Sequence, residues 1–316
     1  MNRTLRNAVP LAMLFAAVLP AADPQLVSLV MPDAAVIAGV NVTQAKASPF
    51  GQYVMTLIAP HSQELQALVA VTGFDPRQDV SELLAASNGG AGSAAGLALA
   101  RGTFAIETIT AAAKQAGAAT ETYQNIAILK APNGIQALAF LDSTLAVFGD
   151  LASVKAAIDR QSPDAQHLSA AVVARIGQLS GSGDAWVLST VPLAGLHPPS
   201  AAPTVPGLNL EALQQIQQSS LAVKFGDNVT VTAQALLDTP QNATTLAGLL
   251  QMLANMAQLQ AQKSPDVAAL AKSLSIAASG STVTVAFSIP EAQLQQLAQP
   301  QQRSGNAGAI QLKKLP

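Results

Sequence analysis

The sequence predicts an α+β fold made of two similar units, each with antiparallel strands packed against helices. Three observations lead there. Short apolar runs with β-branched residues recur from 34–42 to 282–287, several of them separated only by turn residues. Between them lie segments with apolar residues three and four apart, the period of a helix with one buried face. A loose order of strand, helix, hairpin and helix occurs twice, with no short repeat of the solenoid kind.

In the first unit, 34–42 reads as a strand. Pro49 opens a helix with Phe50, Val54, Leu57 and Ile58 on one face; Pro60 breaks it, and Leu65, Leu68 and Val69 carry the pattern on to Gly73. Asp79 and Glu82 have capping-box spacing: one carboxylate accepts an N–H while the other reaches back, which starts a short helix through Leu84. Gly89, Gly90 and Gly92 make a loop before a strand at 97–100, and 106–116 is helical by spacing. Residues 126–129, 135–141 and 145–148 form an antiparallel meander, turning at Pro132-Asn133-Gly134 and Asp142-Ser143. Asp150 caps a helix with Leu151, Val154 and Ile158 on one side, and a helix at 168–179 follows.

The units divide as 23–180 and 181–298. In the second, 185–191 is a strand, 197–206 a proline-rich loop and 208–216 a helix. Residues 220–225 and 229–236 make a hairpin across Gly226-Asp227-Asn228. It sets Val229, Val231, Ala233 and Ala235 on one face and Thr230, Thr232 and Gln234 on the other. Thr239-Pro240 opens a long helix that buries Leu246, Leu249, Leu250, Leu253 and Ala257. Further helices start at Ser264-Pro265-Asp266 and at Glu291, on either side of a strand at 282–287, and 299–316 is a flexible polar tail.

The N-terminus reads as an address. Arg3 and Arg6 precede an apolar run at 8–19, and Pro20-Ala21-Ala22 is a small-residue exit before Asp23. That order is a secretory signal peptide over 1–22, removed to leave a mature chain that starts near Asp23. The run is too short to span a bilayer, which takes about 20 apolar residues. The most apolar later segment, 246–259, is interrupted by Gln251, Asn255 and Gln258, so no transmembrane helix is expected after cleavage. The expected location is the periplasm or the medium.

Charged residues make up only 11% of the chain and the net charge is −2, which gives no field to gather nucleic acid. There is no cysteine, which removes disulfides, thiol nucleophiles and thiolate metal sites. His61, His167 and His197 lie far apart and in no metal-ligand pattern. No nucleophile elbow surrounds any serine; Ser182 and Ser93 neither follow a strand nor lead into a helix. The glycines at 89–96 precede a strand, where a phosphate loop would follow one. Asp75 and Asp79, flanking Arg77, are explained by a turn and a helix cap. Met252 and Met256, one helical turn apart, are the candidate lining of an apolar ligand groove, because methionine adapts to irregular surfaces.

Three segments carry a resemblance: Gly73-Phe-Asp-Pro-Arg-Gln-Asp-Val80, Ala100-Arg-Gly-Thr-Phe104 and Thr282-Val-Thr-Val-Ala-Phe-Ser-Ile-Pro290. Through them the chain resembles a group of uncharacterised exported bacterial proteins. The resemblance implies an exported α+β protein and brings no catalytic residue with it. The expectation is an exported, non-catalytic envelope protein that binds an unknown envelope partner or a ligand, without cofactor or metal. The alternative is a carrier of an apolar small molecule in a groove between sheet and helices. A hydrolase with a dispersed Ser/His/Asp site is the weakest reading.

Overall fold

The structure, a computed structural model, describes residues 22–52, 66, 69–89, 96–192, 215–261, 273–291 and 293. The first half contributes strands β1 (Val36–Asn41), β2 (Val80–Ser87), β3 (Gly96–Gly102), β4 (Ala119–Tyr123), β5 (Ile126–Lys130), β6 (Gln136–Asp142) and β7 (Leu145–Asp150). The second contributes β8 (Ala185–Ser189), β9 (Ile216–Lys224), β10 (Asn228–Leu237), β11 (Ser275–Ser279) and β12 (Thr282–Pro290). They form one 12-stranded sheet in the order β11-β12-β10-β9-β8-β1-β2-β3-β7-β6-β5-β4, antiparallel at every pairing.

The doubled theme of the sequence is a shared connectivity. In each half a three-stranded meander (β1-β2-β3 or β8-β9-β10) leads into a helix, α4 (Ile106–Gln115) or α7 (Pro240–Ala261). The chain then returns as a meander, β4 to β7, or as a hairpin, β11 and β12, whose last strand pairs with the third strand of the first set. The halves join where β1 pairs with β8, from Val36 opposite Ser189 to Val40 opposite Ala185. The sheet therefore runs unbroken through the boundary read at residue 180.

The helices follow from local chemistry. Asp150 caps α5 (Leu151–Asp159) by accepting from Ser153 N–H, and Ser169 does the same for α6 (Ala170–Ser182) with Val172 N–H. With α1 (Pro24–Ser28), these helices cover one sheet face. Ile37, Leu84, Leu97, Leu99, Val147, Trp186 and Leu188 are buried there with Leu26, Val154, Ile158 and Ile176. The other face is covered only in places. Under α4, Phe104, Ile109 and Ala146 form a small cluster with aromatic neighbours Phe74 and Phe140. Under α7, Ala243, Leu246 and Ala247 pack on Leu237 and Val283, with Leu250 and Ala235 at the margin.

Several local expectations are overturned. The capping box at Asp79 does not form: Asp79 accepts from Asp75 N–H and closes α3 (Pro76–Asp79), whose cap is Asp75. The helix expected to follow is strand β2, because Val80–Ser87 pairs on both sides, with β1 and β3, and that outweighs a helix-tolerant sequence. Ile216, read as a helix end, begins β9. Two strands went unread, β4 and β11, both mostly exposed and without an apolar run. Helix α1 also went unread, although Asp23-Pro24 is a good helix start: the Asp23 carboxylate accepts from Gln25 N–H and Pro24 takes the first turn. Helix α2 (Val42–Ala47) follows β1, and the chain is helical again at 49–52, as expected after Pro49. The rest of that helix lies outside the described residues, with most of the 89–96 loop, the loop at 197–206, the helices at 208–214 and from Ser264, and the tail.

The hairpin β9–β10 and helix α7 give a direct test of this packing. Leu246 is buried against Val283, whereas Thr232 is half-buried on the opposite sheet face. Leu246→Ala is expected to cost about 2–4 kcal/mol and Thr232→Ala less than about 0.5 kcal/mol. A urea melt of each variant checks both, and equal losses would overturn the face assignment.

Candidate functional site

Strands β1, β2, β8 and β9 each carry an unbroken apolar stretch (36–40, 83–86, 185–188 and 221–223), so both sheet faces are apolar there. On the face away from α5 and α6, one register row runs Phe148, Ala98, Ala85, Ala38, Val187, Leu221, Ala233 and Val285 across neighbouring strands. The next row runs Ala146, Ala100, Leu83, Val40, Ala185, Val223, Val231 and Phe287. The cluster under α4 takes in Ala146 and Ala100 at one end of the second row, and the cluster under α7 takes in Val285 at the other end of the first. Between them lies an open trough of about 260 Å³, floored by Ala38, Val40, Leu83, Ala85, Val187 and Leu221. Leu83 is 40% exposed and Val187 and Leu221 are each 39% exposed, a large apolar surface left in water in the middle of the sheet.

The opposite face changes character at the join. Its row reads Leu97, Ala86, Ile37, Leu188 and then Ser220, Gln234 and Thr284. Arg175, on α6, accounts for the change: its guanidinium donates to Ser220 Oγ at 2.9 Å, to Gln178 Oε1 at 3.1 Å and to Gln234 Oε1. Between α1 and α6, Val27, Leu168, Val173 and Ile176 line an apolar pocket of about 310 Å³, with Ala22 of the expected leader at its edge.

A third cluster sits where the expected leader meets the folded chain. Asp23 N–H donates to both carboxylate oxygens of Glu82, at 3.1 and 3.3 Å. The Asp23 carboxylate accepts from Arg101 Nε at 2.7 Å, and Arg101 also donates to Gln25 Oε1 and Thr144 Oγ1. Burial pushes the Glu82 carboxyl above its ordinary range, opposed by the Asp23 N–H. For Asp23 burial acts in the same direction, but the bonds from Arg101 and Gln25 outweigh it and hold that carboxyl low.

The residues singled out from the sequence fall elsewhere. Met252 and Met256 are 53% and 52% exposed on α7, and neither lines the trough. His167 is exposed, with Nδ1 3.0 Å from the Ser28 carbonyl, while His61, His197 and Ser93 lie outside the described residues. Ser182 donates to the Leu179 carbonyl at the end of α6. The described residues hold no cluster of three metal-ligating side chains and no helix long and apolar enough to cross a membrane. Sequence reasoning missed the trough. Its signal was present in runs such as Val36-Ile-Ala-Gly-Val40 and Leu97-Ala-Leu-Ala100, where alternation of polar and apolar residues is lacking.

The fold is shared with TP0453. Its crystal form III superposes with a TM-score of 0.55 at 11% identity, covering 85% of this chain and 96% of that one. Crystal form I gives 0.51 at 10% identity, covering 88% and 97%. No family model matches the chain, and neither does any curated protein. At such identity the likeness is one of fold.

Proposed function

We propose that this is an exported, non-catalytic binding protein whose open sheet face docks the apolar surface of a protein partner in the cell envelope. The observation that carries the reading is the trough: Val187 and Leu221, paired across β8 and β9, and Leu83 in the next register row stay about two-fifths exposed between two covering helices. A soluble chain seldom leaves a contiguous apolar patch of this kind uncovered unless something binds there. The leader-like N-terminus and the resemblance to exported proteins support the location. The shallow, open form of the trough suits a partner's helix or loop better than an enclosed small molecule. The carrier reading draws instead on the pocket between α1 and α6, whose volume of about 310 Å³ sits at the small end of the ligand-pocket range.

A photo-crosslinking residue at Leu83 tests the docking site in producing cells. It is expected to give a discrete adduct, which a crosslinker at the exposed Gln161 does not give. Leu221→Asp is expected to abolish the adduct and to lower the fluorescence of bound anilinonaphthalene sulfonate, with the thermal midpoint moving by less than about 2 °C. Identical adducts at both positions, or none at Leu83, would defeat the proposal. A lipid that co-purifies and survives Leu221→Asp would favour the carrier.

A further inference from the structure

We propose that Glu82 is the docking site for the α-ammonium group created at Asp23 when the leader is cut between Ala22 and Asp23, an inference that rests on the exported reading above. Hydrolysis of that peptide bond adds one water. The hydroxyl goes to the Ala22 carbonyl carbon, which leaves with the leader as a carboxylate, and the nitrogen of Asp23 becomes an amine that is protonated at neutral pH. No further co-reactant is needed. The nitrogen already lies 3.1 and 3.3 Å from the two Glu82 oxygens, so the new charge forms in place.

The charge balance favours this arrangement. Before cleavage, Arg101 is bonded to Asp23, and its charge acts on Glu82 without a hydrogen bond between them. Glu82 is half-buried, and the group that it binds here is the neutral peptide N–H of Asp23. After cleavage the set holds two cations and two anions, and each carboxylate has its own cation. Among the described residues, Asp142 also lies near this set and reaches Arg101 through Thr144. Leu26 and Val27, just beyond the junction, are buried in the main core, which anchors the chain beside Glu82. A cut one residue earlier would move the ammonium by about 3.8 Å, beyond hydrogen-bond reach.

The test compares a chain made to start at Asp23 with one made to start at Ala22, each with and without Glu82→Gln. In the Asp23 chain the α-amino pKa, followed by NMR, is expected about one unit above its ordinary value near 8, and E82Q returns it to that value. E82Q is also expected to lower the thermal midpoint of the Asp23 chain by about 3 °C and to leave that of the Ala22 chain unlowered. The sign follows from linkage: a pKa raised on folding adds stability that is present at pH 7 and lost as pH climbs through the raised value. Should E82Q fail to fold, the two parent chains supply the comparison, the Asp23 chain melting higher. An α-amino pKa that E82Q leaves unmoved would overturn the proposal. Intact mass of exported protein separates the two readings. A cut at another bond overturns this inference alone, whereas a product retaining Met1 overturns the leader as well.

Discussion

Leu99→Ala is expected to destabilise the protein by about 3–5 kcal/mol, while Leu83→Ala, on the neighbouring strand, costs about 1 kcal/mol or less. Leu99 is 0% exposed and stands between Leu84 and Val147 in the register row beneath the helices. Truncating it leaves a cavity whose walls are held by two paired strands, so little collapse can offset the loss. Leu83 is 40% exposed on the trough floor, where the same truncation removes surface already in water. Urea midpoints at unchanged slope provide the comparison. With total stability of about 5–15 kcal/mol, the Leu99 change is a large share of the whole. Similar losses at the two leucines would mean the trough is covered in solution, and the binding proposal would fail with the face assignment.

The parts of the fold legible in the sequence are those set by neighbours along the chain. The meander at 126–148 announces itself through Asn133-Gly134 and Asp142-Ser143, and the observed strands β5, β6 and β7 follow those turns. Asp150 states its helix start, because one carboxylate must satisfy an N–H that the first turn cannot. The misreading at Asp79–Glu82 shows the limit. The local spacing is that of a cap, yet both carboxylates are claimed by distant or differently placed N–H groups, Glu82 by Asp23 and Asp79 by Asp75. The Asp79 bond is local but runs back toward Asp75, and the partner of Glu82 lies 59 residues away, where no capping pattern reaches.

The candidate site was hidden for the same reason. Each trough residue is an ordinary apolar residue in an ordinary strand. What makes a site of them is the pairing of β1 with β8, which puts Ala38 beside Val187 although they lie far apart in the chain. Apolar continuity within β1, β2, β3 and β8 signals two apolar faces, but which stretch of the second face stays open depends on where α4 and α7 come to rest. Conversely, Met252 and Met256 show a regular helical spacing that looks like a lining, and the helix turns them outward, about half exposed.

The ladder that joins the halves contains one close fit, and Gly39→Val is expected to cost about 3 kcal/mol or more by breaking it. Gly39 pairs with Trp186 across β1 and β8, and a Cβ at this position would fall 2.5 Å from Cε2 and Cζ2 of the indole. That is well inside any real contact distance, and the ring has no room to retreat because Trp186 is 4% exposed within the main core. Even Gly39→Ala should cost about 1–3 kcal/mol. The clash is specific, so it should couple: in a Trp186→Leu background, whose own penalty is separate, adding Gly39→Ala is expected to cost less than about 1 kcal/mol. The coupling energy then falls at about 1–2 kcal/mol, within the range for residues in contact. Trp186 is the only tryptophan in the chain, so its emission reports the displacement directly, shifting to the red in Gly39→Ala before any global unfolding. Additive penalties with an unshifted spectrum would show that the indole does not lie over Gly39, and the register of β1 with β8 would have to be redrawn.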